Sequence, residues 1–159
     1  MVPRSGALAI QAATDDQIDI VRMLWREYWT TLGFSDDFQD FGTELASLPG
    51  RYAAPHGRLL LAFCGPDAAG TAAFRRLGAE SCEAKRLYVT PEHRGGGIGR
   101  LLLDELIREA RASGYSAMYG DTLESMSTAL RMYLHYGFVE VPAYSEKSTP
   151  GAVYLRLQL

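Results

Sequence analysis

Arg94-Gly95-Gly96-Gly97-Ile98-Gly99-Arg100 lies between a β-like run, Cys82 to Val89, and a run whose apolar residues recur at helical spacing. Glycine takes positive φ without a Cβ penalty and lets backbone approach a ligand closely. A helix that opens on such a turn points amides without intrahelical partners at whatever lies in front of it, so the ligand the stretch suits is an anion. A phosphate there gains about 0.3–1 kcal/mol from the helix dipole. The other reading of the same residues is a tight strand-to-helix turn that happens to be rich in glycine. Two phosphate loops are excluded by what the heptapeptide lacks. Gly99 is followed by Arg100 and Leu101, so the Lys-Ser/Thr pair of a Walker loop is missing. A dinucleotide fingerprint begun at Gly95 or Gly97 needs a further glycine where Arg100 or Leu102 stands, and no acidic residue follows at the ribose-binding distance.

Working outward, Leu101, Leu102, Leu106, Ile107 and Ala110 mark the buried face of the helix after the loop, which stops at Ser113-Gly114. Thr90-Pro91 ends the strand before it, because the residue ahead of proline is pushed to extended geometry. Upstream, residues 8–13 read as a strand. Thr14 with Gln17 forms a capping-box signature, and Ile18, Val21, Leu24, Trp25, Tyr28 and Leu32 predict a helix closed by Gly33. Residues 37–48 predict a less regular helix ending at Pro49-Gly50, and residues 58–63 and 68–77 a hairpin about Gly65-Pro66-Asp67. Downstream come a strand at 117–121, a helix at 128–136 ended by Gly137, and strands at 139–144 and 153–159. The order β-α-α-β-β-β-α-β-α-β-β predicts a mixed α/β (α+β) fold, with residues 1–159 as one domain and no internal repeat.

Composition narrows the partners. A formal net charge of −3 and a pI near 5.6 argue against a surface built for nucleic acid or anionic lipid. No stretch reaches the roughly 18 apolar residues of a membrane span, and the first nine residues lack the apolar core of a signal peptide, so the expectation is a soluble, cytoplasmic protein. Cys64 and Cys82 sit in apolar strand-like runs and read as buried, reduced thiols. His56, His93 and His135 have no metal-ligand spacing, so no metal site is expected. Self-association as a homodimer stays open.

The stretch from Arg94 to Gly99 resembles the Arg/Gln-x-x-Gly-x-Gly/Ala signature of the GNAT acetyltransferases. Ala129-Leu130-Arg131-Met132-Tyr133-Leu134-His135-Tyr136-Gly137-Phe138 resembles the second motif of that family, Ala-x-x-Leu-Tyr-x-x-x-Gly-Phe. The element order is similar along nearly the whole chain. Cys82 to Val89, Asp121-Thr122 and the ending from Gly151 to Leu159 look like a group of small GNAT proteins, many without an assigned substrate. The resemblance implies a mixed central sheet of about six to seven strands, splayed between the fourth and fifth and flanked by about four helices. It also implies an N-acetyltransferase that moves an acetyl group from acetyl-CoA to the primary amine of a small molecule, by direct attack in a ternary complex. Acetylation of a protein or peptide, and a non-catalytic module that binds acetyl-CoA, are the competing readings.

Carried onto this sequence, the resemblance implies that backbone groups of Leu87, Tyr88 and Val89 meet the pantetheine arm and the thioester. Arg94, Gly95, Gly96, Gly97, Ile98, Gly99 and Arg100 would hold the pyrophosphate. Met126 stands where the family often has asparagine, which leaves Ser125, Ser127 or backbone to make that contact. Glu83, eleven residues before Arg94, occupies the position of a general base in several relatives. Lys85, two residues on, shares its strand face and would pair with it instead. Tyr133 occupies the position of a general acid toward the thiolate; as a phenol of pKa about 10 it matches a thiol near 8.5 with little loss. The acceptor groove implied by the family takes in Tyr28, Trp29, Phe34, Phe38, Tyr144 and Arg75. A cluster of Arg75, Lys85 and Arg86 near it would suit an acceptor that carries a carboxylate, because guanidinium pairs with carboxylate in a bidentate fork.

Overall fold

The computed structural model describes residues 6–35, 40–144 and 149–159. Seven strands form one sheet in the order β1-β2-β3-β4-β5-β7-β6: β1 Leu8–Ala12, β2 Arg58–Cys64, β3 Asp67–Arg76, β4 Ser81–Val89, β5 Ala117–Leu123, β6 Val139–Val141 and β7 Ala152–Gln158. Four helices flank it: α1 Ile18–Thr31, α2 Phe41–Ala46, α3 Ile98–Ala112 and α4 Ser127–His135. All neighbouring strands are antiparallel except β4 and β5. These two are parallel because α3 carries the chain back across the sheet between them.

Strand alternation divides the core in two. On β2, Leu60 and Ala62 face α3, while Leu59 and Leu61 face α1 and α2. The α3 side joins Leu102, Leu103, Leu106 and Ile107 to Phe74, Met118 and Phe138; the other side joins Val21, Leu24, Trp25 and Trp29 to Phe41 and Leu45. Burying each such aliphatic side chain contributes about 1.5–3 kcal/mol. The periodicity of α3 places Leu103 inside and leaves Leu101 on its exposed side, correcting the expected face by one residue. Gln17 accepts from the Thr14 amide at 3.0 Å, but the first turn, Asp15–Gln17, is a 3-10 helix. The strand expected over 139–144 stops at Val141, since Pro142 has no amide to donate to the ladder. The strand expected over 117–121 runs on to Leu123 because β7 pairs with it that far. Cys82 is buried, and burial pushes its thiol up to about 12. Cys64, beside the Gly65 turn at the end of β2, is only half-buried, contrary to expectation.

Two features set up the site. Thr71 pairs with Tyr88 and Ala73 with Lys85, so Arg86 and Leu87 together oppose Ala72 in a β-bulge, where Arg86 takes φ +60°. The β4–β5 ladder runs only from Ser81–Ala117 to Ala84–Gly120, after which the two strands part. Beyond that point β4 stays paired with β3 and β5 with β7, and residues of α4 line the gap between them. Among the described residues no helix is long and apolar enough to cross a membrane.

Candidate active site

From Gly95 to Arg100 no amide has a backbone acceptor among the described residues; the first bond of α3 runs from Leu101 N–H to Gly97 C=O at 3.1 Å. Gly95 and Gly97 hold φ +85° and +82°, and Gly97 is the N-cap of α3. A Cβ added at either would meet nothing within 4 Å, so glycine is required there by backbone geometry and not by crowding. Gly97→Ala is therefore expected to lower stability by about 1–2 kcal/mol. Gly99→Ala, whose Cβ would rest 3.6 Å from Val89 Cγ2, should change stability by less than about 0.5 kcal/mol. Urea denaturation of the two variants checks the contrast. Arg94 donates from Nε to the Val89 carbonyl at 3.0 Å and lies over the Tyr88 ring. Six open amides flanked by Arg94 and Arg100 are a donor set that fits a diphosphate.

Thr90 N–H bonds to Ala69 on β3, so strand alternation turns the backbone of Leu87 and Val89 the other way, toward the gap beyond Gly120. The Val89 carbonyl is taken by Arg94. Tyr88 turns its buried ring to α1, where its hydroxyl donates to Glu27 at 2.9 Å. Tyr28, Trp29, Phe34, Leu87, Asp121, Met126 and Tyr133 line the slot in the gap. Ser125 is exposed in the turn before α4 and does not line it, whereas Met126 does. Tyr133 packs edge-on to Phe138, and among the described residues its hydroxyl has no hydrogen-bond partner. Burial pushes its phenol well above the usual tyrosine range, with Tyr28 and the Asp121 carboxylate adding to the shift. The group therefore holds its proton at neutral pH. Trp29 is mostly committed to the core, stacked on Phe41 at 4.2 Å with its indole N–H on the Ser35 carbonyl.

A second cleft, of about 450 Å³, adjoins the slot and collects Arg75, Glu83, Lys85, Tyr144 and Tyr154. Glu83 is 4% exposed. Its Oε1 accepts from Arg75 Nε at 3.1 Å, and its Oε2 accepts from the Tyr144 hydroxyl at 3.1 Å with Lys85 Nζ at 3.6 Å. Burial, then the nearby Glu83 and Asp121 carboxylates, push the Tyr144 phenol far up. Phe38, expected in the groove, lies outside the described residues. The slot and the cleft share Lys85, Arg86 and Asp121.

Two of those three carry more than the sequence suggested. Arg86, read there as one of a basic cluster, is buried: its guanidinium lies 4.6 Å from the Trp29 ring centre and 5.2 Å from that of Phe41, and donates to Glu44 at 2.6 Å. Burial alone would raise the Glu44 carboxyl, but Arg86 and the donated Tyr52 hydroxyl outweigh it and hold Glu44 below its usual range. In the sequence Asp121 reads as the end of a strand and as part of the Asp121-Thr122 pair that carries the family resemblance, with no role in the site. Its position where parallel strands diverge is the signal that marks it, since side chains at such a point face an open crevice.

The family described as "Acetyltransferase (GNAT) family" matches residues 17–138. An uncharacterized N-acetyltransferase of Schizosaccharomyces pombe is 39% identical over 147 residues, covering 89% of this chain and 88% of that protein. A crystal structure of a GNAT-family acetyltransferase from Staphylococcus aureus superposes with a TM-score of 0.81 at 18% identity, over 96% of this chain and 99% of the other. A Salmonella typhimurium putative acetyltransferase solved with its cofactor acetyl-CoA gives 0.73 at 23% identity, over 96% and 94%.

Proposed function

Because this chain belongs to the GNAT acetyltransferase family, we propose that it transfers the acetyl group of acetyl-CoA to the primary amine of a small molecule within a ternary complex. The observation that carries this reading is the meeting, at Lys85, Arg86 and Asp121, of the larger cleft with the slot between β4 and β5 that Tyr133 also lines. A donor held in the slot and an acceptor held in the cleft would come together there. The thioester supplies an activated acyl carbon and a leaving sulfur.

The chain's own residues do the rest. The amides of residues 95–100, with Arg94 and Arg100, neutralise the diphosphate of the donor. The backbone of Leu87 pairs with the pantetheine arm along the unladdered part of β4, and an amide of the bulge polarises the thioester carbonyl. Such a donor is commonly worth about 2.7–4 kcal/mol in the transition state. Tyr133 gives its proton to the departing sulfur. Glu83 has both oxygens engaged and orders Arg75, Lys85 and Tyr144 along the cleft. A cleft of 450 Å³ matches the size of small-ligand pockets, which favours a small acceptor over a peptide.

Release of free thiol from acetyl-CoA, followed over a panel of free amines and of peptides, tests the reading. Turnover on free amines is the expected result. Turnover on peptides alone would assign a protein acetyltransferase, and binding of acetyl-CoA without turnover on either would leave a non-catalytic module.

A further inference from the structure

The acceptor cleft contains a row of alternating charge that crosses β3, β4 and β5. Arg75 bonds to Glu83, and Lys85 Nζ stands 3.6 Å from Glu83 Oε2 and 3.6 Å from Asp121 Oδ1. The inner members of this row are used up. Glu83 spends one oxygen on Arg75 and the other on Tyr144 and Lys85, and the Lys85 ammonium is shared between two carboxylates.

The two ends are not used up. Among the described residues Arg75 bonds only through Nε, so both terminal nitrogens keep their N–H groups for a ligand. Its guanidinium is held in place by Glu83 and by the Tyr52 ring at 6.0 Å. Among the described residues Asp121 has Lys85 as its ion-pair partner, at a distance longer than a hydrogen bond, and accepts no hydrogen bond. A quarter of its side chain is exposed, at the junction of slot and cleft. The other cations stand outside this row: Arg86 is bound to Glu44, and Arg51 donates from Nη2 to the Arg76 carbonyl. The lining as a whole is electrically balanced, with Arg51, Arg75, Lys85 and Arg86 against Asp40, Glu44, Glu83 and Asp121.

A balanced lining with one open cationic end and one open anionic end suits a ligand of the same character. We propose that the acceptor is an amino acid in chemical class. Its carboxylate lies on the terminal nitrogens of Arg75, and its amino group faces Asp121 at the junction. The fork of a guanidinium matches a carboxylate in the bidentate geometry that an ammonium cannot reproduce. Asp121, not Glu83, is then the carboxylate that meets the amine, because Glu83 is 4% exposed with both oxygens already accepting, whereas Asp121 is open at the junction. In the transfer an amide bond forms and the thioester bond breaks. The acceptor's ammonium sheds two protons overall: one finishes on the sulfur by way of Tyr133, and the other leaves to water by way of Asp121.

This rests on the acetyl-transfer reading above, and the test separates the two. Wild-type enzyme with acetyl-CoA is given matched acceptors that differ only in the carboxylate: phenylalanine against 2-phenylethylamine, and methionine against 3-(methylthio)propylamine. The amino acid of at least one pair is expected to be acetylated with a kcat/KM at least about tenfold higher. Arg75→Lys, which keeps the charge beside Glu83 but not the fork, is expected to raise KM for that amino acid about tenfold more than for the matching amine. Asp121→Asn is expected to lower kcat on both members of the pair. Amines that equal or outrun their amino acids in both pairs would overturn the proposal and leave acetyl transfer standing. Equal KM in wild type and Arg75→Lys would overturn the carboxylate end, and an unchanged kcat in Asp121→Asn the amine end. No thioester consumption with any amine would remove the underlying reading itself.

Discussion

Replacing Tyr133 by phenylalanine is expected to lower kcat about tenfold or more while the dissociation constant for acetyl-CoA stays within about twofold. The hydroxyl is the only atom removed. It points into the slot without a partner among the described residues, so its loss leaves no buried group unsatisfied, and the ring keeps its packing on Phe138. Any fall in rate then reports proton donation and not damage to the fold. The raised phenol fixes the sign of the pH effect. A tyrosine above its usual range stays protonated past pH 10, so the alkaline side of the kcat profile should show no loss from Tyr133 below about pH 10. Transfer from an ordinary phenol to a thiolate is already slightly uphill and the same shift makes it more so, so Tyr133 passes its proton to the sulfur only as charge develops there and a proton from the amine replaces it. Rapid-mixing and steady-state rates for Tyr133→Phe, beside donor binding by calorimetry, decide the matter, and an unchanged kcat removes Tyr133 from the mechanism.

Arg86→Ala is expected to cost about 3–5 kcal/mol of stability, because it strands the half-buried Glu44 carboxylate and empties the space between Trp25, Trp29 and Phe41. For a chain of this size that corresponds to a fall in Tm of roughly 6–20 °C. The double variant Arg86→Met with Glu44→Gln removes both charges and should recover much of the loss. The pH dependence has a definite direction. Glu44 is depressed in the folded state, so its share of stability is present above the unfolded value of about 4.3 and is lost as pH falls through the folded one. The stability difference between wild type and Glu44→Gln is therefore largest near neutrality and closes as pH falls through that depressed folded value. Arg86 also sits in the left-handed region at the bulge, a conformation that costs about 1–3 kcal/mol and persists only where the surroundings over-determine it. The same side-chain burial that stabilises the fold thus holds β4 away from β5.

Much of this was readable along the chain. The glycine loop, the strand before it and the helix after it are local matters of φ, capping and period, and local rules predict them. The helical repeat from Ile18 to Leu24 and the two-residue turn at Gly65-Pro66 are legible for the same reason. Periodicity erred where it had to choose among adjacent leucines: Leu101 and Leu103 differ only in which side of a helix the sheet happens to cover.

What lay beyond the sequence depends on register between distant strands. Glu44 and Arg86 stand 42 positions apart, and Arg75, Glu83, Lys85 and Asp121 form one row only because β3, β4 and β5 lie side by side in one alignment. No one-dimensional pattern reveals that a basic residue will be buried among tryptophans, or that one carboxylate will be saturated while another keeps an open oxygen. Those outcomes follow from a bulge at Arg86 and from a parallel ladder that ends at Gly120, and both are properties of paired strands, which no single stretch of chain possesses alone.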